Sequence, residues 1–92
     1  MSIDIAARFG DNLARLRKQA GISQEELSVR ASVHRTEVSF VERGLRLPKV
    51  DTLVKLASSL EVSADELLDG LEWTPGGTVY GRFRSVDEGE SK

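Results

Sequence analysis

Between Ser23 and Gly44 the chain fits two helix starts, a break and a helix stop into one short stretch, and this spacing constrains the fold more than any other feature. Ser23-Gln24-Glu25-Glu26 reads as a capping box. In such a box the serine hydroxyl accepts the third backbone amide of a helix, and the glutamate reaches back to the N–H of the cap. The helix it opens carries Leu27 and Ala31 inward, four residues apart, and gives way near Ser32 and Val33. His34 then stands at the cap position of a second helix, Arg35 to Arg43, which Gly44 terminates. Val38 and Val41, three apart, face the core. The same geometry turns Arg35, Thr36, Ser39, Phe40 and Arg43 broadly outward.

The flanking segments supply the rest of a core. Ile5, Phe9, Leu13, Leu16 and Ala20 recur at helical spacing, with Arg8, Asp11, Asn12, Arg15 and Lys18 on other faces and Gly21 as the left-handed stop. Beyond the connector Leu45 to Lys49, where Pro48 discourages helix at Leu47, a helix over Val50 to Leu60 turns Leu53, Leu56, Ala57 and Leu60 inward. Ser63-Ala64-Asp65-Glu66 is a second capping box and opens a short helix that ends near Gly70. The expected fold is therefore all-α, a compact five-helix bundle. After Gly70 the texture changes. Trp73-Thr74-Pro75-Gly76-Gly77 reads as a turn or linker, and Thr78 to Val86 alternates loosely as one strand. A lone strand must pair, dock or stay mobile. The chain is thus expected to divide into a bundle, residues 1–70, and a C-terminal arm, residues 71–92, with a frayed polar end.

Composition removes several functional classes. Ninety-two residues make about one domain, too small for a deep catalytic cleft. There is no cysteine, hence no disulfide, thiolate nucleophile or cysteine zinc site. The single histidine, His34, has no partner at metal-ligand spacing, and Gly76-Gly77 is too short for a phosphate-binding loop. No catalysis, metal or cofactor is expected. Neither a signal peptide nor an apolar run of membrane-spanning length is present, so a cytoplasmic location without membrane contact is expected. The net charge of −2 argues against a nucleic-acid partner, but its distribution reverses the argument. Residues 8 to 49 hold nine bases against five acids, whereas residues 50 to 92 hold four against nine. The basic excess lies with the paired helices.

The run from Ser23 to Leu27 through Ala31, Val33, Val38, Glu42-Arg43-Gly44, Pro48, Leu53, Leu56-Ala57, Leu60, Val62-Ser63 and Glu66-Leu67-Leu68 resembles the XRE/Cro/C1-type helix-turn-helix family, the fold of the lambdoid phage repressors. The likeness covers roughly residues 8 to 70. It implies a sequence-specific transcriptional regulator, a repressor, that binds double-stranded DNA and lays the helix over residues 34–43 in the major groove. By this resemblance Arg35, Thr36, Ser39 and Phe40 are the base-reading side chains, Arg35 being suited to a bidentate contact with guanine. Gln24, His34, Arg43, Arg46 and Lys49 are the phosphate contacts. The resemblance also pairs Arg17 with Glu42, an ion pair that would position the recognition helix.

The chain departs from the family pattern at His34, Glu37, Phe40 and Lys49. Phe40 could meet a thymine methyl, lean onto the core or meet a partner chain. Glu37 costs affinity near phosphates unless it accepts from cytosine or pairs with a base such as Arg35. A palindromic operator implies a homodimer with recognition helices about 34 Å apart. Two surfaces could hold the dimer: the last helix, with Leu67, Leu68 and Leu71, or the arm, with Trp73, Val79 and Phe83. The arm could instead fold back on its own bundle. A different class of reading is a protein-interaction module, such as an antitoxin or adaptor, that engages a protein partner through the arm.

Overall fold

In the computed structural model, which describes residues 4–76 and 80–86, helix α1 (Ile5–Gln19) starts at Asp4, whose Oδ1 accepts the N–H groups of Ala6 and Ala7 at 3.0 and 3.3 Å. It ends at Ala20, an exposed C-cap rather than the inward position its spacing suggests, and Gly21 follows with φ of 75°. Helix α2 (Gln24–Ala31) opens on the predicted capping box: Ser23 Oγ accepts from Glu26 N and Glu26 Oε1 from Ser23 N, both at 3.0 Å. Ser32 adopts a left-handed conformation, and Val33 N–H returns to the Ser28 carbonyl at 3.0 Å. The chain thus turns sharply into helix α3 (Arg35–Glu42). Helix α4 (Val50–Leu60) and the single turn of α5 (Ala64–Leu67) complete the helical part. Glu66 accepts the Ser63 N–H at 3.2 Å.

Each helix contributes apolar side chains to one core, in which Leu13, Leu27, Val38, Val41, Leu56 and Leu67 are completely buried. Val33, Leu53 and Val62 pack against its edge. Burial at this density explains why helices of eight residues and fewer persist, since such lengths are not stable alone in water. Helices α1 and α3 approach closely at Gly10. A Cβ there would lie within 2.6 Å of the Glu42 carbonyl oxygen and closer still to that of Val41. The polar side chain of Asn12 is also buried, where its Nδ2 donates to the carbonyls of Leu67 and Asp69 at 2.9 and 3.0 Å. It caps the end of α5, although its helical phase suggests an outward position.

The arm corrects the sequence reading. Trp73 to Gly76, part of the segment read as a turn or linker, lie in strand β1 (Leu71–Gly76), which pairs antiparallel with β2 (Tyr80–Ser85). The strand at the chain's end is therefore half of a hairpin and finds its partner in the segment just before it. Trp73 lies opposite Phe83, and their rings meet edge-to-face with centroids 5.0 Å apart. Gly81 leaves room for the indole, which a Cβ at that position would strike. On the other face Glu72 and Arg84 form an ion pair. The base of the hairpin is tied to the bundle by Val86 N–H on the Gly70 carbonyl at 2.6 Å and by Arg8 Nη1 on Ser85 Oγ at 3.2 Å.

Candidate nucleic-acid interface

Helix α3 is seated by its inner face, Val38 and Val41, each with no exposed surface. Its opposite face is open. His34 occupies the N-cap position with extended backbone and makes no capping hydrogen bond through its side chain. Arg35 and Thr36 follow in the first turn, both exposed, while Ser39 and Phe40 lie one turn on and are half-buried. Arg43, Arg46 and Lys49 are all exposed around the end of α3 and the following loop. Nine side chains anticipated at the interface thus divide between helix start, outer face and exit loop, with Gln24 at the start of α2.

Gly44 makes the exit possible. Its φ of 75° is the left-handed value that ends α3, and a Cβ would lie 2.9 Å from Ala7 Cα. Leu45 N–H then bonds back to the Phe40 carbonyl at 2.9 Å. This reversal brings Arg46 beside the helix it has just left. Its Nη1 donates to Glu37 Oε1 at 2.7 Å. Glu37 therefore pairs with Arg46, not with Arg35. The guanidinium groups of Arg46 and Arg43 lie over the Phe40 ring, 5.0 and 5.4 Å from its centroid.

The anticipated pair between Arg17 and Glu42 is present and carries more than one bond. Arg17 Nε donates to Glu42 Oε2 at 2.6 Å and Nη2 to Oε1 at 3.1 Å, a two-pronged contact, while Nη1 caps the Ile22 carbonyl at 2.9 Å. The hydrogen bond to Glu42 raises the Arg17 pKa above its ordinary value, with a coulombic contribution in the same direction and burial opposing both. Gln24 Nε2 also donates to Glu42 Oε1, at 2.9 Å. The amide expected to point at a phosphate is thus held by Glu42, and one carboxylate ties α1, α2 and α3 together. Sequence spacing gave no sign of this third partner.

The dimer candidates separate. Leu67 is completely buried in its own core, which removes it as a contact for a second copy. Leu68 is exposed and Leu71 half-buried. Trp73 and Phe83, at 54% and 39% exposure, pack on each other. Val79 lies outside the described residues. Among the described residues no cluster of histidine and carboxylate side chains could hold a metal ion, and no helix is long and apolar enough to cross a membrane.

Comparison with known proteins agrees with this geometry. The family model described as Helix-turn-helix matches residues 13–67. The uncharacterized HTH-type transcriptional regulator y4dJ of Sinorhizobium fredii is 42% identical over 76 residues, 83% of this chain and 99% of its own length. Among solved structures, the restriction-modification controller protein C.AhdI from Aeromonas hydrophila superposes with a TM-score of 0.66 at 37% identity, covering 67% of this chain and 94% of that one. The biofilm master regulator SinR, solved in complex with DNA, gives a TM-score of 0.64 at 35% identity over 66% of this chain and 98% of its own. The hairpin follows the matched segment. With its capped α2, its exposed α3 and these relatives, the chain belongs to the XRE/C1-type helix-turn-helix family of DNA-binding transcriptional regulators.

Proposed function

We propose that this protein binds a specific double-stranded DNA sequence through α3, acts there as a repressor, and does so as a homodimer on a palindromic operator. The observation that carries the reading is the two-sidedness of α3: Val38 and Val41 are fully buried while Arg35 and Thr36 in the first turn are exposed. A helix anchored in this way can enter the major groove as a rigid body, first turn foremost. Arg35 and Thr36 read base edges, and Ser39 follows one turn later. His34, Arg43, Arg46 and Lys49 meet phosphates, which set register without reading sequence. Gln24, held by Glu42 through one N–H of its amide, has the second N–H for a phosphate. Residues 1–70 form the DNA-binding unit and residues 71–92 the arm, and the site of action is the cytoplasm.

The test is selection of bound duplexes from a random pool by the wild-type protein and by Arg35→Ala. The reading expects a symmetric consensus for the wild type and relaxed preference at one position in each half-site for the variant. A guanine contact of this kind discriminates by about 1–3 kcal/mol. Uniform weakening over all sequences would reduce Arg35 to a backbone contact, and the absence of any consensus would reject sequence-specific binding.

A further inference from the structure

We propose that Phe40 is a positioning residue that holds Arg43 and Arg46 ready for DNA phosphates, and that it does not itself read a base. The inference rests on the DNA-binding reading above. Phe40 is half-buried, yet the partly buried apolar side chains packed on the core are Val33, Leu53 and Val62, and Phe40 is not one of them. Part of what covers it is cationic. Glu37, Phe40 and Arg43 stand three residues apart on one row of α3, so their side chains are neighbours. The reversal after Gly44 adds Arg46 to the same row, with Glu37 fixing one end of its guanidinium at 2.7 Å.

The chemistry suits holding a cation for later use. An aromatic face attracts a guanidinium plane through its quadrupole and takes none of its N–H donors. The N–H groups of Arg43, and those of Arg46 that Glu37 does not hold, stay free to meet phosphate oxygens, the geometry at which arginine excels. Among the described residues Arg43 has no carboxylate partner, so the ring is its one specific contact. Both side chains are thereby restricted before binding, which lowers the ordering cost of the complex. A ring so engaged has less face to offer a thymine methyl.

The test compares Phe40→Leu and Phe40→Trp in the full chain by fluorescence anisotropy, on the wild-type consensus duplex and on a scrambled one, across a salt series. Thermal melting checks that each variant is folded. Phe40→Leu keeps both charges and loses the ring, so affinity should fall about three- to tenfold on both duplexes. The slope of log affinity against log salt should not change, because it counts phosphates neutralised. Phe40→Trp should restore wild-type affinity. Arg46→Ala, as a control, should lower that slope by about one. The proposal is overturned if Phe40→Leu changes the selected base at one position of each half-site, if it alters the salt slope, or if it binds like the wild type. A wild-type chain that binds neither duplex would instead reject the DNA-binding reading itself, and this proposal with it.

Discussion

Arg17 and Glu42, 25 residues apart, meet through two hydrogen bonds at side-chain exposures of only 12% and 6%, and so fix α3 against α1. Replacing both charges with apolar groups of similar size is often harmless in such pairs, whereas removing one strands the other. Arg17→Met should therefore cost about 3 kcal/mol in urea denaturation, and the double variant Arg17→Met, Glu42→Leu should recover most of it. A double variant that loses the sum of the two single losses would show that the pair is not coupled.

The raised pKa of Arg17 gives this interaction a definite pH behaviour. A group held above its ordinary value contributes fully at every pH below that value and loses the contribution only as pH climbs through the raised one. Because an arginine already titrates far above neutrality, the stability difference between wild type and Arg17→Met should be flat between about pH 6 and 9. Denaturation at three pH values across that range checks it, and a slope there would assign the difference to another group.

Gly10→Ala tests the close approach of α1 to α3. In an open helix this change would add roughly 1 kcal/mol of stability. Here the new methyl group meets the backbone carbonyls of Val41 and Glu42, which cannot move without shifting α3. A net destabilisation of about 2–3 kcal/mol is expected from calorimetry or denaturant unfolding. A stabilised variant would mean that the two helices are not held at the described distance.

The elements that sequence predicts well are those with local causes. Ser23 with Glu26, Gly21 and Gly44 act within a turn of themselves, and so the boundaries of α1, α2 and α3 could be read directly. Arg17 with Glu42 came from family resemblance, not from spacing. What escaped depends on distant partners. Asn12 looks outward by phase, but the carbonyls of Leu67 and Asp69 that satisfy it lie more than fifty residues away. Leu67 and Leu68 could not be told apart because a four-residue helix has no periodicity to read. Pro75 and Gly76 made β1 look like a turn, although proline is tolerated in an edge strand, and both strands of a two-stranded sheet are edges.

Asn12→Ala should cost about 2–3 kcal/mol, since it removes three side-chain hydrogen bonds and takes the donor from the buried Leu67 carbonyl. Hydrogen exchange should show the loss concentrated at the α5 end and the hairpin base. Unchanged protection there would place the anchoring of α5 elsewhere.

If the arm joins two copies, the exposed pair Trp73 and Phe83 is the apolar surface available for it. The double variant Trp73→Ala, Phe83→Ala should then weaken the homodimer at least about tenfold in sedimentation equilibrium, as expected when central aromatic side chains are truncated. An unaltered dimer would move the interface to the helical surface around Leu68.

The role of α3 is open to direct observation by NMR titration of the labelled full-length protein with its selected duplex. The largest amide and guanidinium shift changes are expected at residues 34–36, 39, 40, 43, 46 and 49, with the Gln24 side-chain amide responding as well, and with the core positions Leu13 and Leu56 unmoved. Changes confined to the hairpin, residues 71–76 and 80–85, with α3 silent, would contradict DNA recognition through this helix.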